Sequence, residues 1–220
     1  LIVPRASARQ TMAGSIGQAT YEPIAEADFT FRPLSPCDFP VMFRWRINPA
    51  VAQRWDPAPD TIDELEPEFG PMIDGAEPVN GVIVEHAGTP IAFIQWYRLH
   101  DHPDYSGIDL APAGAAGIDL FIGEDDYRYR GYGAPMLRAF LREVLFAQPD
   151  ITACAIDPLV ENTSAISAYR RTGFREAGIR YNAYEHGDSL IMLIDRADLI
   201  GSREAQAAAE AADADQDQKG

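Results

Sequence analysis

The chain has 220 residues and sets 18 Lys and Arg against 34 Asp and Glu, a formal net charge of −16. Hydrophobic residues make up 46% and aromatics 10%, which supports one sizeable core and excludes a disordered protein. The acidic balance disfavours nucleic acid and anionic lipid as partners and suits a cationic small molecule, and no apolar run approaches the ~20 residues that span a bilayer.

Residues 1–27 are small, polar and aperiodic, and are expected to form a disordered leader outside the fold. Their apolar start is too short for a secretory signal, so the expected compartment is the cytoplasm. There Cys37 and Cys154, far apart and without Cys-x-x-Cys spacing, remain reduced thiols. Phe29, Phe31 and Leu34 begin an alternating run that predicts the first strand. Ser35-Pro36-Cys37-Asp38 then reads as a helix start, with serine at the cap, proline at the first helical position and an acid three residues on. The helix carries Phe39, Met42, Phe43 and Ile47 on one face. Asp60-Thr61 opens a second, acidic helix to about Ile73.

Val82–Val84 and Ile91–Trp96 read as strands joined by a turn at Ala87-Gly88-Thr89-Pro90. Residues 98–114, rich in Asp, His, Pro and Gly, read as a loop. His100 and His102 within it lack a third well-spaced ligand, so no metal is expected. Gly117–Gly123 is a buried strand with one acid in it, Asp119. A helix follows from Gly131 to about Phe146, then a strand over Ile151–Ile156 and a helix over Asn162–Arg171 with Gly173 as its C′ residue. Two more strands lie near Phe174–Tyr181 and Ser189–Ile194. An acidic, Ala-rich tail closes the chain over 201–220, with helical potential at Glu204–Ala212. Residues 28–200 form one domain, of α/β class with a mixed sheet.

Two segments carry chemistry. Arg128-Tyr129-Arg130-Gly131-Tyr132-Gly133-Ala134 lies between the buried strand and an amphipathic helix. A helix N-terminus presents unpaired N–H groups and the positive end of the dipole, and glycines let backbone approach a ligand; with arginines beside them they make a pyrophosphate cradle. The run is neither a Rossmann fingerprint nor a Walker loop. In the second segment, Asn162, Ala165, Tyr169, Gly173 and Phe174 stand at fixed intervals, and the seven residues from Asn162 to Tyr169 are about two turns at ~3.6 residues each.

The glycine loop resembles the pyrophosphate loop of the GNAT acetyltransferases, and the second segment is similar to their Asn-x-x-Ala-x-x-x-Tyr-x-x-x-Gly-Phe pattern. Gly117-Ile118-Asp119, Asp157-Pro158, Trp55 and Gln95 narrow the likeness to the aminoglycoside 6'-N-acetyltransferases, over roughly residues 29–196. The loop His100–Gly107 departs from that family, which often carries more tryptophan there. The resemblance implies a mostly antiparallel sheet of about seven strands with a splayed parallel pair, flanked by about four helices. It also implies acetyl-coenzyme A as cofactor, a cationic aminoglycoside as partner, and a monomer or homodimer.

On that resemblance Asp119 is the base that takes the ammonium proton, or an anchor for the cation, and Tyr169 is the acid for the leaving thiolate. Cofactor contacts fall on Leu120, Phe121 and Ile122, whose strand is freed by a bulge, on Arg128 to Ala134, and on Asn162, Ala165 and Tyr169. Acceptor contacts fall on Trp55, Asp104, Asp119, Asp157 and Asp188. Two other readings stay open: the same transfer to another amine, such as a siderophore hydroxylysine or a protein N-terminus, and a non-catalytic coenzyme A-binding module.

Overall fold

Phe29 and Phe31 alternate as predicted and form β1 (Phe29–Pro33), which opens a seven-stranded sheet of order β1-β2-β3-β4-β5-β7-β6. The computed structural model describes residues 24–55, 57–105 and 107–201. The other strands are β2 (Val79–His86), β3 (Thr89–Arg98), β4 (Ala115–Ile122), β5 (Ala153–Ile156), β6 (Arg175–Asn182) and β7 (Gly187–Asp195). All neighbours pair antiparallel except β4 and β5. The helices are α1 (Phe39–Arg46), α2 (Pro49–Ala52), α3 (Leu65–Ile73), α4 (Gly133–Phe140) and α5 (Thr163–Thr172). A further helical stretch opens at 196 and reaches the last described residue, 201. There are thus more helices than the four expected, because α2 is a single turn set by Asn48 capping the Ala50 N–H at 3.0 Å and the last one follows the final strand. The helix predicted for residues 204–212 lies outside the described residues.

The sheet has a core on each face, because side chains alternate along a strand. On one face Val82, Ala92, Ile94, Trp96, Ala116, Ile118 and Met192 pack against Met136, Phe140, Leu141 and Leu145 of α4 and its continuation and against Ile166 of α5. α4 runs on as a π turn over Leu141–Leu145, inside the predicted helix. On the other face Ile83, Phe93 and Phe121 pack against Phe39, Met42 and Trp45 of α1 and Leu65 and Phe69 of α3. Gly173 ends α5 at φ 119°, a backbone hand that glycine adopts without strain. Cys154 lies in the first core, its thiol pushed up by burial and inert, and Cys37 is exposed.

Residues 24–27, expected outside the fold, belong to it. Ile24 packs on the first core, and Glu26 bonds Arg138 at 2.6 Å and Arg142 at 2.8 Å. Hydropathy patterning missed this segment because it is held by ion pairs to α4 rather than by periodicity. The part of the leader over residues 1–23 lies outside the described residues.

The predicted helix start is present in detail. Asp38 reaches back to the Ser35 N–H and hydroxyl, each at 2.9 Å, and takes two hydrogen bonds from the Arg32 guanidinium at 2.8 and 2.6 Å. Burial acts to raise the Asp38 pKa, but the bonds from Arg32 and Ser35 outweigh it and hold the carboxyl below its usual range. A lowered folded pKa adds stability above the unfolded value, near 3.9, that is lost as the pH falls through the folded one. Asp38→Ala should therefore lower the unfolding free energy at pH 7 by about 2 kcal/mol, less than for a fully buried pair because Arg32 keeps part of its hydration. Urea titrations from pH 7 to pH 3 should show the deficit shrinking once the pH drops below about 4.

Candidate functional site

β4 and β5 pair in parallel at three positions, Ala115 with Ala153, Ala116 with Cys154 and Gly117 with Ala155. Beyond Gly117 the strands part, while β4 stays in register with β3 as far as Ile122. The bulge expected in β4 is absent from this ladder, where no register shift interrupts the pairs from Arg98–Ala116 to Ala92–Ile122. β5 is only four residues long, and the splay comes from its divergence. The consequence is the one the bulge was meant to explain. From Ile118 onward β4 has a partner on one side only, and alternate backbone groups face the gap.

A cavity of about 790 Å³ opens at this gap. Asp119 lies in its wall. The β3–β4 register sets Gln95 opposite Asp119 and Tyr97 opposite Gly117, all four on one face of the sheet. The Gln95 Nε2 donates to Asp119 Oδ2 at 2.9 Å, and the Tyr97 hydroxyl also hydrogen-bonds Asp119. Gly117 makes this possible: a Cβ there would stand 2.5 Å from the Tyr97 ring. Loss of hydration raises the Asp119 pKa and the nearby Glu185 charge adds to this, against the bonds from Gln95 and Tyr97.

Acidic and aromatic side chains make up much of the remaining walls, with Arg54 and several apolar residues among them. Asp104 and Tyr105 come from the 98–114 loop, Asp157 from the end of β5, Glu161 and Asn162 from the approach to α5, and Tyr184 and Glu185 from the β6–β7 turn. Trp55 closes another side, its ring edge-on to Phe121 at 5.0 Å and to Phe93 at 5.9 Å. Burial pushes the Tyr97 and Tyr105 hydroxyls up, and the carboxylates of Asp119 and Asp157 push further, so both stay protonated. Tyr169 of α5 reaches the cavity from the opposite face of the sheet, through the gap. Burial again, then the charges of Asp119 and Asp157, raise its pKa.

Of the predicted acceptor residues, Trp55, Asp104, Asp119 and Asp157 thus share the cavity, and Asp188 does not. Asp188 pairs with Tyr181 in the β6–β7 ladder and is exposed beside it; strand alternation turns the two outward together. Sequence reasoning missed Tyr97, Tyr105, Asn182, Tyr184 and Glu185. Each is local to a strand or turn that the sequence shows, but its place at the cavity depends on register and on strand order.

The loop before α4 has the expected backbone and a different use of side chains. Tyr129 at φ 59° and Gly131 at φ 92° are left-handed, bends that turn N–H groups toward the inside of a loop. α4 starts at Gly133 with no side-chain cap and no acid in its first turn, so its first N–H groups and dipole stay available to an anion. A Cβ at Gly133 would meet nothing closer than Ala168 of α5 at 3.7 Å.

Arg128, expected to face phosphate, is committed elsewhere. It donates to the Ile122 and Gly123 carbonyls at 3.1 and 2.8 Å, pairs with Asp125, and is 13% exposed. It ties the loop to the end of β4. Arg130, 59% exposed and 3.3 Å from Asp126, is the arginine at the surface. The Tyr132 ring packs in an aromatic cluster with Tyr127 at 4.7 Å and His86 at 5.2 Å, and the Phe121 ring lies in the second core.

Asn162 caps α5 through its Oδ1, 3.4 Å from the Ala165 N–H. Asn162, Leu120 and Tyr169 line the cavity. The uncapped helix start at Gly133, with α5 packed beside it, can take an anionic group.

The chain matches the Acetyltransferase (GNAT) domain over residues 36–180. Over 151 residues it is 26% identical to aminoglycoside N(6')-acetyltransferase type 1 of Klebsiella pneumoniae, covering 68% of this chain and 75% of that protein. A kanamycin resistance protein of Rhizobium radiobacter is 30% identical over 84 residues, 38% of this chain and 68% of that protein. The crystal structure of an aminoglycoside acetyltransferase, AAC(6')-Ib, with coenzyme A and kanamycin superposes with a TM-score of 0.70 at 25% identity, over 80% of this chain and 99% of that one. Fold, open β4–β5 pair and matched sequence agree, and the chain belongs to the GNAT acetyltransferase family.

Proposed function

We propose that this protein transfers an acetyl group from acetyl-coenzyme A to a primary amine of an aminoglycoside, the 6'-amine, and so confers resistance. The observation that carries the reading is the cavity at the β4–β5 gap, where Asp119 stands among further carboxylates and aromatic rings. Such walls suit a cationic, ring-bearing acceptor, and relatives of this chain act on such acceptors by name.

The backbone N–H groups opening α4 and the Arg130 side chain would hold the diphosphate, and Asn162, Ala165 and β4 the arm that leads to Asp119. Acetyl-coenzyme A would supply the thioester carbonyl carbon that the amine attacks. Asp119 takes the proton of the ammonium group, since only the neutral amine is a nucleophile. Its raised pKa brings it closer to the amine than an exposed aspartate. A backbone N–H on the gap side of β4 near Leu120 hydrogen-bonds the carbonyl oxygen as charge grows there. The Tyr169 hydroxyl would give its proton to the departing sulfur and regain one from the proton that the new amide nitrogen sheds, so that coenzyme A leaves as the free thiol.

Purified protein given acetyl-coenzyme A and kanamycin or tobramycin should release free thiol, with product mass increased by one acetyl group. Aminoglycosides lacking a 6'-amine should remain unmodified. Thiol release on a hydroxylysine or a peptide N-terminus and on no aminoglycoside would move the acceptor assignment. Cofactor binding without turnover on any amine would leave a non-catalytic module.

A further inference from the structure

Asn182 is the last residue of β6 and is 9% exposed. Its Oδ1 accepts hydrogen bonds from the backbone N–H groups of Tyr184 and Glu185 at 3.0 and 3.2 Å. Its Nδ2 donates to Asp157 Oδ2 at 3.3 Å. The direction of the amide follows from its partners: two N–H donors require the oxygen, and a carboxylate requires the nitrogen.

Strand order makes this contact unusual. β6 does not neighbour β5, because β7 lies between them. Backbone bonds tie Pro158, Leu159 and Val160 to Leu190, Ser189 and Asp188 at the start of β7, but none of them reaches the corner of the turn at Tyr184 and Glu185. The Asn182 side chain spans β7 and does so at the cavity, which Asp157, Asn182, Tyr184 and Glu185 all line. The turn itself stands at the edge of the sheet, with Tyr184 82% exposed.

We propose that Asn182 is a positioning residue for the acceptor amine: one end of its amide holds the Asp157 carboxylate, the other holds the Tyr184–Glu185 corner, and two walls of the cavity are thereby kept in register. This rests on the proposed amine transfer at that cavity. With the amide removed, Asp157 loses a donor and the corner loses the acceptor that closes its turn. The acceptor then meets Asp157 and Glu185 at variable separation, and binding pays in ordering them. α4 and the start of α5, which would hold the cofactor, are not touched by the change.

The test uses the full chain and two variants. In Asn182→Ala, the Tyr184 and Glu185 amides should exchange hydrogen faster, and the KM for kanamycin should rise about tenfold or more, on the scale of a lost hydrogen bond to a charged group. The KM for acetyl-coenzyme A should stay within about twofold. In Asn182→Asp, a carboxylate oxygen still accepts from the turn, so exchange at Tyr184 and Glu185 stays slow. The donor to Asp157 is replaced by a like charge, and the KM for kanamycin should rise even so. This variant also serves if the alanine protein does not fold.

An unchanged KM for kanamycin in both variants, or a KM for acetyl-coenzyme A that rises in step, would overturn the proposal. Wild-type protein inert toward every amine would instead overturn the activity on which it rests, and exchange at Tyr184 and Glu185 would still decide whether Asn182 holds the corner.

Discussion

Asp119→Asn should lower kcat on an aminoglycoside by about 10²-fold or more, with a smaller change in the KM for acetyl-coenzyme A. The substitution keeps the shape of the side chain and an oxygen for the Gln95 Nε2, which lies at 2.9 Å. It removes the one atom pair able to take a proton. Steady-state kinetics would separate the two roles of the residue. A fall in kcat marks the base, and a rise confined to the KM of the amine marks an anchor for the cation.

The pH dependence carries a second signature. Burial raises the Asp119 pKa against the opposing bonds from Gln95 and Tyr97, so wild-type kcat/KM should lose activity on the acid side as this carboxylate protonates, and that limb should vanish in Asp119→Asn. The same shift acts on stability. A folded pKa above the unfolded value makes the contribution most favourable below the unfolded pKa, near 3.9, and costs stability as the pH rises through the folded one. Asp119→Asn should therefore melt higher than wild type at pH 7 and at the same temperature below about pH 4. A less stable variant at pH 7 would show that the carboxylate is not held at a cost.

Gly133→Val should weaken coenzyme A binding by about tenfold or more, because a branched side chain at the first residue of α4 covers N–H groups meant for a charged ligand. An added Cβ fits, with its nearest neighbour on Ala168 at 3.7 Å, and the γ carbons of valine reach beyond it. Calorimetric titration with coenzyme A reads the loss, and a melting curve of the free protein checks that it is not unfolding. An unchanged affinity would place the diphosphate elsewhere and remove the basis for the cofactor assignment. Arg128 makes a poor substitute target, since cutting it would also free the end of β4, whose Ile122 and Gly123 carbonyls it holds.

Both halves of the site were legible to different degrees. The proposed cofactor half is written in short runs. Asn162, Ala165, Tyr169 and Gly173 occupy one helix and its ends, where spacing alone decides which side chains share a face and where the turn must be left-handed. The proposed acceptor half is assembled from six separate segments: the stretch after α2, β3, the 98–114 loop, β4, the end of β5 and the β6–β7 turn. Gln95 reaches Asp119 only because the β3–β4 register sets them opposite each other, and a slip of one residue would turn either side chain to the other face. Asn182 reaches Asp157 only because the sheet order places one strand between them. No pattern within a window of the sequence holds that information.

By itself, then, the amino-acid sequence determined the seven strands, four of the helices, the two motifs and the acid in the fourth strand, because these depend on local periodicity, capping and the reach of a few residues along one helix. The tertiary structure decided the parting of β4 and β5, the diversion of Arg128 from ligand to loop, the removal of Asp188 from the cavity and the entry of Tyr97, Asn182 and Glu185 into it. The physical reason is that a side chain's partner across a sheet is chosen by register and strand order, which arise from packing the whole chain at once.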